Sequence, residues 1–163
     1  LGAYGADKGV KTLLEAWKRL NYADATLLLG GRDSDSPWVR ELVKRHGGGK
    51  VFLTGWLNDK WAFFDHCSVC VQPSATEGFG IEIPEAMARG RLVISSDQNA
   101  GPDLCPEFIF EAGNAKQLAQ TISAIREHGG LQRVGERNAE RAKDYTWSKM
   151  RAKYKKLWRE LLA

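Results

Sequence analysis

Short apolar runs alternate along the chain with amphipathic stretches of helical period. Leu13, Leu14, Trp17 and Leu20 recur at core spacing and predict a helix over Lys11 to Leu20. Ala25 to Leu29 reads as a strand ending at Gly30-Gly31. Ser36 and Pro37, an N-cap and a first-turn proline, open a helix to about His46, which Gly47 to Gly49 end. Val51-Phe52-Leu53 is the next strand, closed by Gly55, and Asn58 is the expected cap of a short helix through Phe64. Ser68 to Gln72 reads as a strand and Pro73 to Phe79 as a loop. A helix then runs from about Gly80 or Pro84 to Arg89, with Gly90 as its stop. Leu92 to Ser95 and, more weakly, Phe108 to Phe110 read as strands, and three helices follow at about 114–128, 131–144 and 147–162.

Strands alternating with helices imply βαβ units. The expected fold is α/β: a Rossmann-like parallel sheet with helices on both faces, forming one domain over residues 1–163. In such sheets ligands bind beyond the carboxyl ends of the strands. Function is therefore expected in the loops Gly2 to Gly9, Gly30 to Ser36, Thr54 to Asp59, Pro73 to Gly80 and Ser96 to Leu104. A sheet of this kind also calls for a strand ahead of the Gly2 loop, and only Leu1 precedes that loop.

Composition narrows the classes. At 43% hydrophobic and 27% charged residues the chain is globular rather than disordered. No segment approaches the ~20 apolar residues of a membrane span, and no signal peptide is visible. Three cysteines are too few for a disulfide scaffold, which suits a reducing, cytoplasmic setting. The net charge of +4 is uneven: residues 126–163 hold 11 Lys/Arg against 5 Asp/Glu, and the remainder is slightly acidic. A nucleic-acid footprint across the body is excluded.

Chemistry concentrates in Pro73-Ser-Ala-Thr-Glu77-Gly-Phe-Gly80-Ile-Glu-Ile-Pro-Glu85-Ala-Met-Ala-Arg-Gly90. Gly78 and Gly80 flank Phe79 in a strand-to-helix turn, where glycine lets backbone approach a ligand. Glu77 and Glu85 suit two separate sets of hydroxyls, such as a polyol or a nucleotide-sugar presents. An ordinary loop followed by a helix acid favoured by the dipole gives the same pattern.

The segment resembles the glutamate–seven residues–glutamate signature of retaining, nucleotide-sugar-dependent glycosyltransferases of the family-4 type, which have the two-domain glycosyltransferase-B fold. The resemblance extends in order along the chain. It takes in Asp7-Lys8-Gly9-Val-Lys-Thr, Leu27-Leu-Leu-Gly-Gly31, Val51-Phe-Leu-Thr-Gly-Trp-Leu-Asn-Asp59, Leu92-Val-Ile-Ser-Ser-Asp97 with Gly101-Pro-Asp103, and Tyr145-Thr-Trp-Ser148. It implies that Glu77 hydrogen-bonds the donor sugar and Glu85 the ribose hydroxyls. Backbone around Gly78, Phe79 and Gly80 would meet the sugar or diphosphate. Lys8, in its Lys8-Gly9 pair, would neutralise the leaving diphosphate, and Leu57 with Trp56 and Asp59 would line the base pocket. Glu77 and Lys8 are thus the implied catalytic pair. The nucleotide-sugar is a substrate, so no cofactor is implied. The family commonly has an arginine shortly before the lysine; Ala3 stands there, and Arg32 either compensates or is an ordinary exposed loop residue.

Other residues read blandly. Cys67-Ser-Val-Cys70 leaves a helix to enter a strand, so core packing is expected rather than redox chemistry. His46, His66 and His128 sit near helix ends without ligand spacing, and no metal site is readable. Asp33-Ser34-Asp35 reads as a turn flanking a helix. The last helix carries Trp147, Met150, Tyr154, Leu157, Trp158 and Leu161 on one stripe and Lys149, Arg151, Lys153, Lys155, Lys156 and Arg159 on the other. Packing on its own protein is the expectation, with peripheral contact to an anionic membrane as the alternative.

The reading that follows is the donor-binding domain of a retaining hexosyltransferase using a UDP-, GDP- or ADP-sugar. Its acceptor site would lie in a separate N-terminal domain, and its setting would be cytoplasmic or at the inner face of the membrane. The rivals are a non-catalytic nucleotide-binding Rossmann domain and a nucleotide-sugar epimerase of the same fold.

Overall fold

The computed structural model describes residues 4–162. Five strands lie among these residues, β1 (Thr26–Gly30), β2 (Lys50–Gly55), β3 (Val69–Gln72), β4 (Leu92–Ser96) and β5 (Ile109–Phe110), and every pairing between them is parallel. They alternate with α1 (Val10–Leu20), α2 (Pro37–His46), α3 (Lys60–Asp65), α4 (Glu82–Ala88) and α5 (Gly101–Leu104). Three helices close the chain: α6 (Ala115–His128), α7 (Leu131–Ala142) and α8 (Trp147–Leu161).

The helix starts follow side-chain capping. Ser36 Oγ accepts from Val39 N at 3.4 Å ahead of Pro37, and Asn114 Oδ1 accepts from Gln117 N at 3.0 Å. Asp59, not Asn58, caps α3, accepting from Trp61 N at 2.9 Å and Ala62 N at 3.1 Å. α4 starts at Glu82 with Pro84 in its first turn, where proline loses no hydrogen bond. α5, expected as loop, is a single turn set by Pro102 and by Asn99 Oδ1, which accepts from Gly101 N at 2.6 Å. α7 ends two residues early and passes into a 3-10 turn over Lys143–Tyr145.

β4 is buried along its whole length, as a central parallel strand must be. Leu92 and Ile94 face a core built with α1, α2 and α6, whereas Val93 faces a second core with Phe64, Ile83, Met87 and Leu104. Helices therefore cover both faces. The expected single sheet is instead two parallel pieces, β1–β2 and β3–β4–β5. A cavity of about 770 Å³, lined by Thr26–Leu29 of β1 and Val69–Gln72 of β3, lies between them.

α8 departs from expectation. None of its residues is buried, and Trp147, Trp158 and Leu161 are 83%, 60% and 72% exposed. Its apolar stripe finds no surface on the described residues to pack against.

Candidate functional site

Lys8 and Glu77 are 69 residues apart in sequence and meet at 2.7 Å. Two backbone contacts bring their loops together. Ala75 N donates to Asp7 O at 2.7 Å, and Gly9 lies directly on Pro73. Gly9 has φ +67°, and a Cβ there would come within 1.8 Å of Pro73 O. The Lys8-Gly9 pair is thus local geometry: only glycine allows the left-handed turn and the close approach. The Glu77 carboxylate also accepts from Gln72 Nε2 and Ser74 Oγ, each at 3.4 Å. Ser96 Oγ donates to Ser74 O at 2.6 Å, tying this loop to the end of β4.

The hydrogen bond to Glu77 holds the Lys8 ammonium above the usual lysine pKa. Burial opposes the shift, and the charges of Asp7 and Glu82 add to it. Lys8 is therefore a fixed cation, with 31% of its side chain open to solvent. Glu82 lies close enough to act on it electrostatically, although no motif marks that residue.

Glu85 belongs to a separate pair. Its Oε1 accepts from Lys60 Nζ at 2.5 Å, and Lys60 also lies over the Trp61 ring at 4.9 Å. The Glu85 side chain is 18% exposed. Lys60 follows the loop after β2, which links Glu85 to the segment expected to line a base pocket. In that segment Leu57 packs over Gly30, whose hypothetical Cβ would lie 3.0 Å from Leu57 Cδ1. Trp56 is exposed beneath the Arg32 guanidinium, 5.9 Å from its ring centroid. Asp59 lies beside them, exposed, and caps α3 through Oδ1.

Phe79 is 45% exposed, with its ring 6.3 Å from that of Tyr145. Gly80 has φ +77°, and a Cβ on Gly78 would meet open space. Ala3 lies outside the described residues, and Arg32 is an exposed loop cation over Trp56. Lys60, Gln72 and Ser74 carry no sequence signal, since their roles depend only on which loops meet.

The remaining candidates are structural. His66 and His128 each bond a carbonyl one turn back through Nδ1, at 2.7 and 2.8 Å. Cys67 and Cys70 are free thiols. A hydrogen bond from the Cys70 thiol pulls the Cys67 pKa down, and the same contact with burial pushes Cys70 up. Ser34 is buried and donates to Gly55 O at 3.3 Å, tying the turn ahead of α2 to the end of β2. Among the described residues no helix is long and apolar enough to cross a membrane.

Residues 1–128 match the family of glycosyl transferases group 1. The chain is 30% identical over 160 residues to the N,N'-diacetylbacillosaminyl-diphospho-undecaprenol alpha-1,3-N-acetylgalactosaminyltransferase of Campylobacter jejuni, covering 93% of this chain and 41% of that one. Among solved structures it resembles sucrose-phosphate synthase from Thermosynechococcus elongatus, with TM-score 0.85, 26% identity, and coverage of 99% and 44%. A glycosyltransferase from Rickettsia africae matches with TM-score 0.87 at 23% identity, over 99% and 47% of the two chains. The chain spans less than half the length of the curated relatives it matches.

Proposed function

The chain belongs to the glycosyl transferases group 1 family, as a C-terminal domain of the glycosyltransferase-B fold, and on that premise we propose that it is the donor-binding half of a retaining enzyme. That enzyme transfers a sugar from a nucleoside-diphosphate sugar to a hydroxyl acceptor. The observation that supports this reading most is the Lys8–Glu77 pair, a permanent cation beside a carboxylate at the carboxyl ends of the strands. An ammonium has three donors, so a diphosphate beside Lys8 shares them with Glu77. As the bond to the anomeric carbon breaks, negative charge grows on the leaving phosphate, and a cation already in place lowers that barrier. Glu77 then holds donor-sugar hydroxyls rather than attacking the sugar. Glu85 exchanges its Lys60 contact for the two ribose hydroxyls, and Leu57 lies under the base. The backbone at Gly78, Phe79 and Gly80 completes the sugar side.

The acceptor site belongs to an N-terminal domain in this reading, and no separate cofactor is assigned. Holding donor and acceptor in attack geometry can supply ~7–11 kcal/mol of a barrier, so the isolated chain binds donor without transferring sugar. The exposed basic face of α8 adds a peripheral contact with anionic membrane. The Campylobacter relative, named for a diphospho-undecaprenol acceptor, supports that addition.

The test is Lys8→Ala in the intact two-domain protein. Losing one charge-stabilising donor lowers the transfer rate by roughly 10²–10³, while the fold persists. An unchanged rate would remove Lys8 from the mechanism.

A further inference from the structure

The Glu77 carboxylate is held from one side only. Its donors, Lys8 Nζ at 2.7 Å and Gln72 Nε2 and Ser74 Oγ at 3.4 Å each, all converge on Oε2. Among the described residues none donates to Oε1, and that oxygen is open to solvent. The two neutral donors are buried, Gln72 at 7% exposure and Ser74 at 1%. Their hydrogens have one consistent arrangement. The Gln72 amide gives one hydrogen to Ser74 Oγ at 3.3 Å and the other to Glu77, and the Ser74 hydroxyl gives its own to Glu77. A second row fixes the first. Ser96 Oγ donates to Ser74 O at 2.6 Å and accepts from Asn99 Nδ2 at 3.1 Å. Asn99 Oδ1 accepts from Ser95 Oγ at 2.8 Å and from Gly101 N at 2.6 Å, which sets the orientation of its amide. Gln72 and Ser95 face each other at the ends of β3 and β4. Buried polar side chains cost stability unless each finds a partner, and here the partners lead in sequence to one carboxylate oxygen.

We propose that Gln72 and Ser74 are positioning residues for Glu77: they hold Oε2 so that Oε1 is presented to a hydroxyl of the donor sugar. The inference rests on the donor-binding reading and adds to it two residues that no motif marks. Lys8 does not suffice for this task. Its side chain is 31% open to solvent, and its ammonium is shared with the diphosphate once a donor is bound. The buried pair stays in place through that exchange, and being neutral it orients the carboxylate without adding charge to the site. The two 3.4 Å contacts are long, as hydrogen bonds in unliganded sites commonly are, and they tighten when a ligand engages Oε1. Ser96 and Asn99 act one step further back, through the Ser74 carbonyl. Because Oε1 accepts, the sugar group it meets must bring a hydrogen, so a donor that is deoxygenated at that position is rejected.

Calorimetric titration of the glucose and mannose forms of UDP, GDP and ADP, beside UDP, GDP and ADP themselves, tests it in this chain and its Gln72→Met and Ser74→Ala variants. In the series that binds, each variant lowers affinity for the nucleotide-sugar roughly five- to tenfold and leaves affinity for the bare diphosphate within about twofold. A merely structural role would not separate the two ligands. Thermal midpoints check the fold, and should Gln72→Met not fold, Ser74→Ala, which removes only a hydroxyl, decides the matter. Equal weakening of both ligands, or no change in either, would overturn the positioning role and leave the donor-binding reading standing. Absence of binding by every ligand to the folded wild-type chain would overturn that reading, and this inference with it.

Discussion

Gly9→Ala perturbs the contact that brings the two halves of the site together. The residue has φ +67°, and a left-handed conformation costs a side-chain-bearing residue ~1–2 kcal/mol. The new Cβ would also lie 1.8 Å from Pro73 O and 2.6 Å from Pro73 C. Both are backbone atoms, so no rotamer change relieves them. The loops must separate by about 1.6 Å before the contact reaches the ordinary range, which begins at 3.4 Å. Overpacking of this kind costs a further ~1–3 kcal/mol, for a total of ~2–5 kcal/mol. That is a large fraction of the ~5–15 kcal/mol of a typical domain. Gly113→Ala is the matched control: its φ is +84°, and a Cβ there meets nothing within 4 Å. It suffers the backbone strain alone. Urea denaturation with an unchanged m-value reads the difference, which should be ~1–3 kcal/mol. The same separation pulls Lys8 from Glu77, so Gly9→Ala should also weaken nucleoside-diphosphate binding, whereas Gly113→Ala should not. Equal destabilisation by the two substitutions would refute the packing argument.

Two further outcomes follow from surface charge. Hydrogen bonds from Arg126, Arg89 and Lys149 hold Asp24, Asp65 and Asp144, respectively, below the usual aspartate pKa. A depressed folded-state pKa stabilises above the unfolded value, here 3.8, and that contribution is lost as pH falls through the lower folded value. The thermal midpoint should therefore drop below about pH 3.8, and Asp65→Asn should flatten that drop; identical profiles would contradict the assignment. Replacing Lys153, Lys155 and Lys156 on α8 by Ala removes three charges worth about 1 kcal/mol each near an anionic surface. Partition onto phosphatidylserine vesicles should fall roughly 100-fold at low salt, and unchanged partition would eliminate the membrane contact.

What the sequence made legible was whatever local chemistry dictates. Ser36-Pro37 placed the start of α2, because a cap and a first-turn proline act within one turn. Lys8-Gly9 and the Glu77 to Glu85 spacing pointed to the loops that do meet. The cap of α3 was misplaced by one residue, since Asn58 and Asp59 are both good caps and only the backbone decides between them. Lys60 was invisible because its partner is 25 residues away on another helix. The divided sheet and the bare stripe of α8 were also illegible in detail. Hydrophobic period shows that a face wants burial, but not which surface supplies it.

The central claim is that this chain holds a nucleoside-diphosphate sugar through two separate carboxylates and one fixed cation. Calorimetric titration of UDP-, GDP- and ADP-sugars into the chain, its Glu85→Ala variant and a remote Glu136→Ala control tests it most directly. Glu82 is unsuitable as the control, because its charge acts on Lys8. The account predicts saturable binding of one nucleotide series, weakened roughly 30- to 150-fold by Glu85→Ala through loss of ~2–3 kcal/mol of charge-assisted hydrogen bonding, and unchanged by Glu136→Ala. Absence of binding by every series to a folded chain, or equal weakening by the two substitutions, would contradict it.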